Sequence, residues 1–359
     1  MNPVSTPKFK NVQGSNFHQE LKKRVNNYFA ETSKKSTGNF SLYFKAVLFF
    51  ISYVFLYFHL VFFTPVTWVA IIECIIMGGI TAAIGFNVMH DGSHGSFSNS
   101  KIWNRIATFS INMLGASGIM WHNKHNIIHH TYTNIDGVDD DIEIKPMLRM
   151  CPTQKKYKIH RFQHIYVWFL YTLLLIVWLF VTDYTKYFRK KVGSVPIKRM
   201  SSFDHIAFWI AKVAYAFMMI FLPIYMVGFL SWLVGFLVLT MFAGFVLSIV
   251  FQLAHTVEHT AFPTPLETSN QIENEWAIHQ IETTANFATK NRVISWLVGG
   301  LNFQIEHHLF PKISHIHYPA ISKIIKKTCA EFNVKYIEYK RMRDAILSHT
   351  LYLKRMGSE

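Results

Sequence analysis

Residues 66–94 read VTWVAIIECIIMGGITAAIGFNVMHDGSH, an apolar run without Lys or Arg that ends in two histidines four positions apart. The part up to Met89 is long enough to cross about 30 Å of hydrocarbon, which takes roughly 20 apolar residues. Residues 46–63, 206–227 and 229–253 meet the same requirement. The four runs form two hairpins, one turning at Thr64-Pro65 and the other near Gly228. No Lys or Arg occurs between Lys45 and Lys101, or between Lys212 and Lys290, so both tips lack positive charge. Cytoplasmic loops carry the excess of Lys and Arg, which places the tips outside and both termini in the cytoplasm.

Composition agrees with a membrane setting. The 359 residues are 51% hydrophobic and 16% aromatic, and the mean hydropathy is +0.19, more apolar than a soluble domain of this size tolerates. The net charge of +15 is concentrated beside the apolar runs, and no nucleic-acid module accompanies it. It therefore reads as a basic face against anionic lipid, with no nucleic-acid partner. Cys74, Cys151 and Cys329 are odd in number, widely spaced and without a Cys-x-x-Cys pair, which suggests neither a disulfide framework nor a thiolate zinc site. The polar first forty residues speak against a cleaved signal peptide.

A fifth apolar run, 167–182, is shorter and basic on both flanks. If it crossed, histidines before and after it would face opposite sides of the membrane, so it is expected to lie in the interface or re-enter. The same parity argument has residues 102–120 dip in and return. The expected fold is an all-α integral membrane protein: four transmembrane helices in two hairpins, interfacial or re-entrant helices, and a cytoplasmic His-rich metal-binding cap. Three divisions are expected: a cytoplasmic segment 1–44, a membrane domain 45–320, and a basic helical tail 321–359.

Topology gathers three histidine clusters at one face: His90-Asp-Gly-Ser-His94, His125-Asn-Ile-Ile-His129-His130 and Gln304-Ile-Glu-His307-His308. Residues four apart share a helical face, so His90 with His94, and His125 with His129, are each spaced to grip one cation. His130 points about 100° away, toward a second ion. His255 follows the last apolar run at the same depth. Eight imidazoles exceed the four to six ligands of one ion, which makes two metals the natural count. His259 remains open as ligand or neighbour. His122, His279, His315 and His317 read as structural or supporting residues, and His59, His160, His164 and His205 stand alone.

The three clusters, with the strings His90-Asp-Gly-Ser-His-Gly-Ser-Phe97 and Gly299-Gly-Leu-Asn-Phe-Gln-Ile-Glu-His-His-Leu-Phe-Pro311, resemble the histidine boxes of the membrane fatty acid desaturases over residues 45–320. Gln304 in place of the first histidine of the third box is similar to the front-end and linoleoyl-CoA branch, which acts between an existing double bond and the carboxyl end.

The resemblance implies an enzyme that uses dioxygen and two electrons to take two hydrogens from adjacent methylenes of an acyl chain. It implies a di-iron centre held by His90, His94, His125, His129, His130, His255, His307 and His308. Imidazole suits several metals, and iron enters through the resemblance alone. Gln304 is expected to ligate directly or to orient a water. Asp91, Asp141 (with its neighbours Asp139 and Asp140) and Glu306 are placed to accept second ring N–H groups. Asn302, Thr284 and Asn286 are expected to line the site, and Trp121 and Trp276 to touch substrate. Acyl-CoA and acyl-lipid substrates both remain open. Electrons are expected from a separate donor, a ferredoxin or a cytochrome b5 with its reductase, since the first forty residues lack a haem-binding His-Pro-Gly-Gly. The membrane would be the inner membrane of a bacterium or the endoplasmic reticulum of a eukaryote. An acyl hydroxylase on the same scaffold is the alternative reaction, and a zinc hydrolase the more distant one.

Overall fold

A computed structural model of the chain describes residues 6–10, 17–197 and 199–359. A short strand β1 (Lys8–Phe9) precedes helix α1 (Phe17–Thr32). The first hairpin is α2 (Phe40–Phe63) and α3 (Thr67–His94). Then come α4 (Lys101–Met113), α5 (118–132), and the bent pair α6 (Lys158–Thr172) and α7 (Leu174–Arg189). Strands β2 (Lys191–Val192) and β3 (Val195–Pro196) make a small ribbon before the second hairpin, α8 (Ser202–Val227) and α9 (Phe229–His255). The rest caps one face: β4 (Gln271–Ile272), α10 (Trp276–Glu282), β5 (Asn286–Phe287), α11 (Arg292–Leu297), α12 (Gln304–Leu309), α13 (Tyr318–Glu331), β6 (Glu338–Tyr339) and α14 (Met342–Ser358). Two parallel ladders, β1 with β4 and β5 with β6, tie the cap to the ends of the chain.

Among the described residues α2, α3, α8 and α9 are each long and apolar enough to cross a membrane, and the bent pair α6 and α7 is so only when taken together, so the fold is a predominantly helical membrane protein built on two hairpins. Two of them begin before the apolar run does. Asn39 accepts the Leu42 backbone N–H at 3.2 Å and starts α2 at Phe40. Ser201 and Asp204 form a capping box that starts α8 at Ser202, the reciprocal arrangement that satisfies orphan N–H groups.

The fifth apolar run sits in α6 and α7, which meet at 61°. The break faces α9 at Gly244, where an added Cβ would lie 2.7 Å from the Thr172 carbonyl oxygen. There the Ser248 hydroxyl donates to the Tyr171 carbonyl at 3.2 Å. Irregular backbone at membrane depth persists where protein satisfies its freed groups, and this break has that form. Helix α4, within the second doubtful run, is only 13 residues long. It turns Ile102, Trp103, Ile106, Phe109 and Met113 outward, a stripe suited to the membrane surface.

α3 packs on α9 along one ridge, closest at Gly78, where an added Cβ would stand 2.6 Å from the Leu239 carbonyl oxygen. Both helices end at the same face, on His94 and His255. The chain's ends fold onto that face. α1 docks on α13 through Arg24 and Glu331 at 2.5 Å, and Gly357 of α14 packs against the backbone of His160. α2 and α13 each run across an expected division, at residues 44 and 320.

Candidate metal centre

Four helices deliver the histidines. α3 ends on His90 and His94, α9 ends on His255, α12 carries Gln304, His307 and His308, and α5 carries the second cluster. Residues 122–129 of α5 are wound as a π-helix, and the His130 N–H returns to the His125 carbonyl five residues back. That winding changes which rings align. With this winding the rings of His125 and His130 meet, their Nε2 atoms 3.2 Å apart.

Two groups of buried ring nitrogens result: His90, His94, His125, His130 and His307 in one, and His129, His255 and His308 in the other, each with its atoms within 4.8 Å of one another. His125, His129 and Asp141 also meet this distance. His125 therefore groups with His130 as well as with His129, where the α-helical expectation paired it with His129 and sent His130 to the other ion. In the larger group His90 Nε2 and His130 Nε2 stand 3.0 and 3.2 Å from His125 Nε2. The two groups adjoin, with the rings of His130 and His308 stacked at 4.5 Å.

The rings fit a cation. Nε2 of His94, His255, His307 and His308 is buried without a hydrogen-bond partner, as are Nδ1 of His125 and His130. One such orphan costs about 1–3 kcal/mol, and the free Nε2 atoms of His94 and His307 in one group and of His255 and His308 in the other suit metal ions that accept their lone pairs. The opposite nitrogens of several are occupied. His308 Nδ1–H donates to Gln280 Oε1 at 2.9 Å, and His255 Nδ1–H to the Thr283 carbonyl at 3.2 Å. His307 Nδ1 meets the Tyr318 hydroxyl at 3.2 Å. His129 Nδ1 lies 3.1 Å from Asp139 and 3.2 Å from Asp141. Such contacts fix the tautomer and aim the free nitrogen.

Electrostatics favours neutral rings. Burial, reinforced by the crowding of other imidazoles, holds His125, His130, His307 and His308 well below the usual histidine range. A neutral nitrogen is what a metal needs. His129 moves the other way: burial opposes its proton, but the carboxylates of Asp139 and Asp141 outweigh burial and raise it. Those carboxylates also make His129 a stronger donor to a cation. Asp141 is half-buried, and Lys124 at 2.6 Å and His129 hold its carboxyl below the ordinary range.

Beside the larger group, a cavity of about 30 Å³ opens between the helices, lined by Phe86, Met89, His90, Trp121, Trp178 and Phe251 among others. The Trp121 ring stacks on His125 at 4.5 Å and 22°. Rings able to hold a metal and an apolar slot therefore share a wall.

The sequence profile of the fatty acid desaturases matches residues 66–340. The chain belongs to the fatty acid desaturase family. It is 37% identical to a sn-1 linoleoyl-lipid 6-desaturase of Synechocystis sp., covering 99% of both chains. It is 34% identical to a sn-1 linoleoyl-lipid 6-desaturase of Arthrospira platensis, over 95% of this chain and 92% of that one. An acyl-lipid (8-3)-desaturase of Physcomitrium patens is 34% identical, over 98% of this chain and 74% of its own length. This desaturase is an oxidoreductase acting on fatty acyl chains.

The remaining expected residues of the desaturase fall in several places. Gln304 is buried on the face of α12 that bears His307 and His308, and its Nε2 has no partner. Asp91 and Glu306 do not accept from the clustered imidazoles. Asp91 takes Ser314 at 2.7 Å and His315 at 3.0 Å, because α3 turns it away from His90 and toward the loop before α13. Glu306 accepts from Asn286 at 2.6 Å and Tyr336 at 2.7 Å. Asn286 also caps α12 by accepting the Ile305 N–H at 2.9 Å, and Asn302 donates to Ser295 at 3.0 Å. The Thr284 hydroxyl donates to the Gln280 carbonyl. Trp276 donates its indole N–H to the His130 carbonyl at 3.2 Å. Of the two side chains expected to touch substrate, Trp121 lines the cavity and Trp276 does not; Thr284 and Asn286, expected to line the site, do not line the cavity either. Gln280 and Tyr318 were not foreseen, since nothing in their local sequence marks them as partners of His308 and His307. His315 was foreseen only as a supporting residue, and it bridges Asp91 and Lys45.

Proposed function

We propose that this desaturase introduces a cis double bond into long acyl chains esterified in membrane lipids, on the carboxyl side of an existing double bond. The observation that carries the reading is the convergence of the two histidine groups beside the apolar cavity under Trp121. Two relatives named sn-1 linoleoyl-lipid 6-desaturases favour lipid-linked chains over acyl-CoA. In this reading His90, His94, His125, His130 and His307 hold one iron, and His129, His255 and His308 the other, with Gln304 at their edge. When bound, the pair supplies the oxidation of two adjacent methylenes at the expense of dioxygen and two electrons.

The protein's own part is placement and exclusion. Phe86, Trp121 and Phe251 give the acyl chain a dry, narrow wall, and closing out water protects a strong oxidant from wasteful reactions. Gln280, Thr283, Tyr318 and Asp139 hold ligand rings at fixed angles. The histidine face is cytoplasmic and the hairpin tips external, in accord with the positive residues. A separate ferredoxin or cytochrome b5 delivers electrons, and the basic tail 321–359 forms a cytoplasmic docking face for an acidic donor.

The test is expression in a host without desaturases, supplied with monounsaturated and diunsaturated fatty acids, followed by mass spectrometry of each lipid class. A new double bond in lipid-linked chains, absent in His130→Ala, supports the reading. A hydroxylated product would replace it with the sister reaction, and a double bond appearing first in acyl-CoA would overturn the lipid assignment.

A further inference from the structure

Lys212 of α8 and Asp183 of α7 form an ion pair at 2.7 Å, their side chains 5% and 2% exposed. Both lie in apolar helices, where an ionisable group is expensive and usually serves a function. A buried pair adds little net stability over well-packed apolar residues, so stability alone does not account for it. What the pair touches is more informative.

Asp183 Oδ1 accepts the Trp178 indole N–H at 3.0 Å. Its Oδ2, besides meeting Lys212, accepts the backbone N–H of Ser117 at 2.8 Å. Lys212 donates again to the Gly115 carbonyl at 2.7 Å. Ser117 caps the start of α5, the helix that carries His125, His129 and His130. Trp178 is the outer layer of a near-parallel stack: it lies 5.2 Å and 24° from Trp121, which lies 4.5 Å and 22° from His125. Both indoles line the cavity that reaches His90. One carboxylate therefore holds a wall of the acyl slot and the origin of a ligand-bearing helix.

We propose that the Asp183–Lys212 pair is a positioning device for the acyl chain. By pinning Trp178 against Trp121, it sets which carbon–carbon bond lies beside His90 and His125. The slot is about 30 Å³, so the position of each indole decides the room left beside His90 for an acyl carbon. One methylene in an apolar pocket is worth roughly 10- to 200-fold in discrimination. This inference rests on the acyl-lipid desaturation proposed above.

Two variants test it. Trp178→Phe keeps a ring but loses the N–H to Asp183. The double variant Asp183→Asn/Lys212→Met removes both charges without stranding one. The intact protein in a fatty-acid-fed host is expected to place its double bond at one position. Both variants are expected to bind metal as the parent does while dividing product between adjacent positions, their selectivity down about tenfold or more. A single unchanged position in variants that retain metal overturns the proposal. A second readout needs no turnover: metal-free protein in phosphatidylcholine vesicles is titrated with phosphatidylcholine brominated at successive acyl carbons, and tryptophan quenching is recorded. The carbon of strongest quenching is expected to move in the double variant. If the parent makes no double bond in any lipid, the desaturation reading fails, and the quenching profile still decides the positioning: identical profiles refute it.

Discussion

Replacing Gln280 by Leu probes whether a residue outside the histidine clusters governs metal binding. Gln280 Oε1 accepts from His308 Nδ1 at 2.9 Å and from the Thr133 hydroxyl at 3.0 Å, while its amide N–H points to the Thr131 carbonyl at 3.4 Å. Leu fills the space without an acceptor, leaving the buried His308 Nδ1 only the longer contact to the Thr133 hydroxyl at 3.3 Å and the ring freer to choose the wrong tautomer. An unsatisfied buried donor costs about 1–3 kcal/mol, and loss of such a supporting contact weakens metal binding roughly 10–100-fold. These figures agree, since tenfold is about 1.4 kcal/mol. His308 belongs with His129 and His255, so the smaller group should empty first, while His90, His94, His125, His130 and His307 keep their ion. The assay is iron per chain on purified protein across a chelator series, with a melting curve to confirm folding. Gln280→Glu, which keeps an acceptor, should hold metal nearly as the parent does. If Gln280→Leu folds and gives the parent's chelator curve, the hydrogen bond does not position His308 and the division into two groups loses its support.

Gly299→Ala should destabilise the protein by roughly 2–4 kcal/mol, combining a left-handed backbone penalty with a clash; φ there is +59° and an added Cβ would stand 2.5 Å from the Phe86 carbonyl oxygen. An unchanged melting temperature would refute that packing. His349, buried between Tyr171 at 2.7 Å and the Thr256 carbonyl at 2.6 Å, is pushed by burial from 6.5 to about 4. The unfolded chain takes up this proton first, so the contribution is complete above pH 6.5 and is lost as pH falls toward 4. It amounts to about 3 kcal/mol. Denaturant titrations at pH 7 and pH 4.5 should therefore show a smaller drop in His349→Gln than in the parent. Stripping metal should lower the melting temperature, and restoring ferrous iron to about 100 times its Kd should return about 2.7 kcal/mol; equal melting temperatures would show that no such site forms on folding.

The spans, the hairpins and the list of clustered histidines are local properties, and the sequence alone determined them. Hydropathy over about 20 residues decides whether a segment crosses, the absence of Lys and Arg from 46 to 100 marks a tip, and imidazoles side by side announce their chemistry. Helix starts were one step less local. Asn39 and Ser201 extend α2 and α8 into polar sequence because their side chains cap free N–H groups. Only the tertiary structure decided how the histidines are shared. An α-helical count pairs His125 with His129 and sends His130 away, but with residues 122–129 wound as a π-helix His125 groups with His130 as well as with His129, and His255 and His308 form a further group around His129. The supporting contacts were hidden for a related reason. Asp91 sits beside His90 in sequence, yet helical geometry sends it to His315, whereas Gln280 reaches His308 from another helix. A ring's orientation depends on atoms contributed by four or five separate segments, and no short window of sequence contains them.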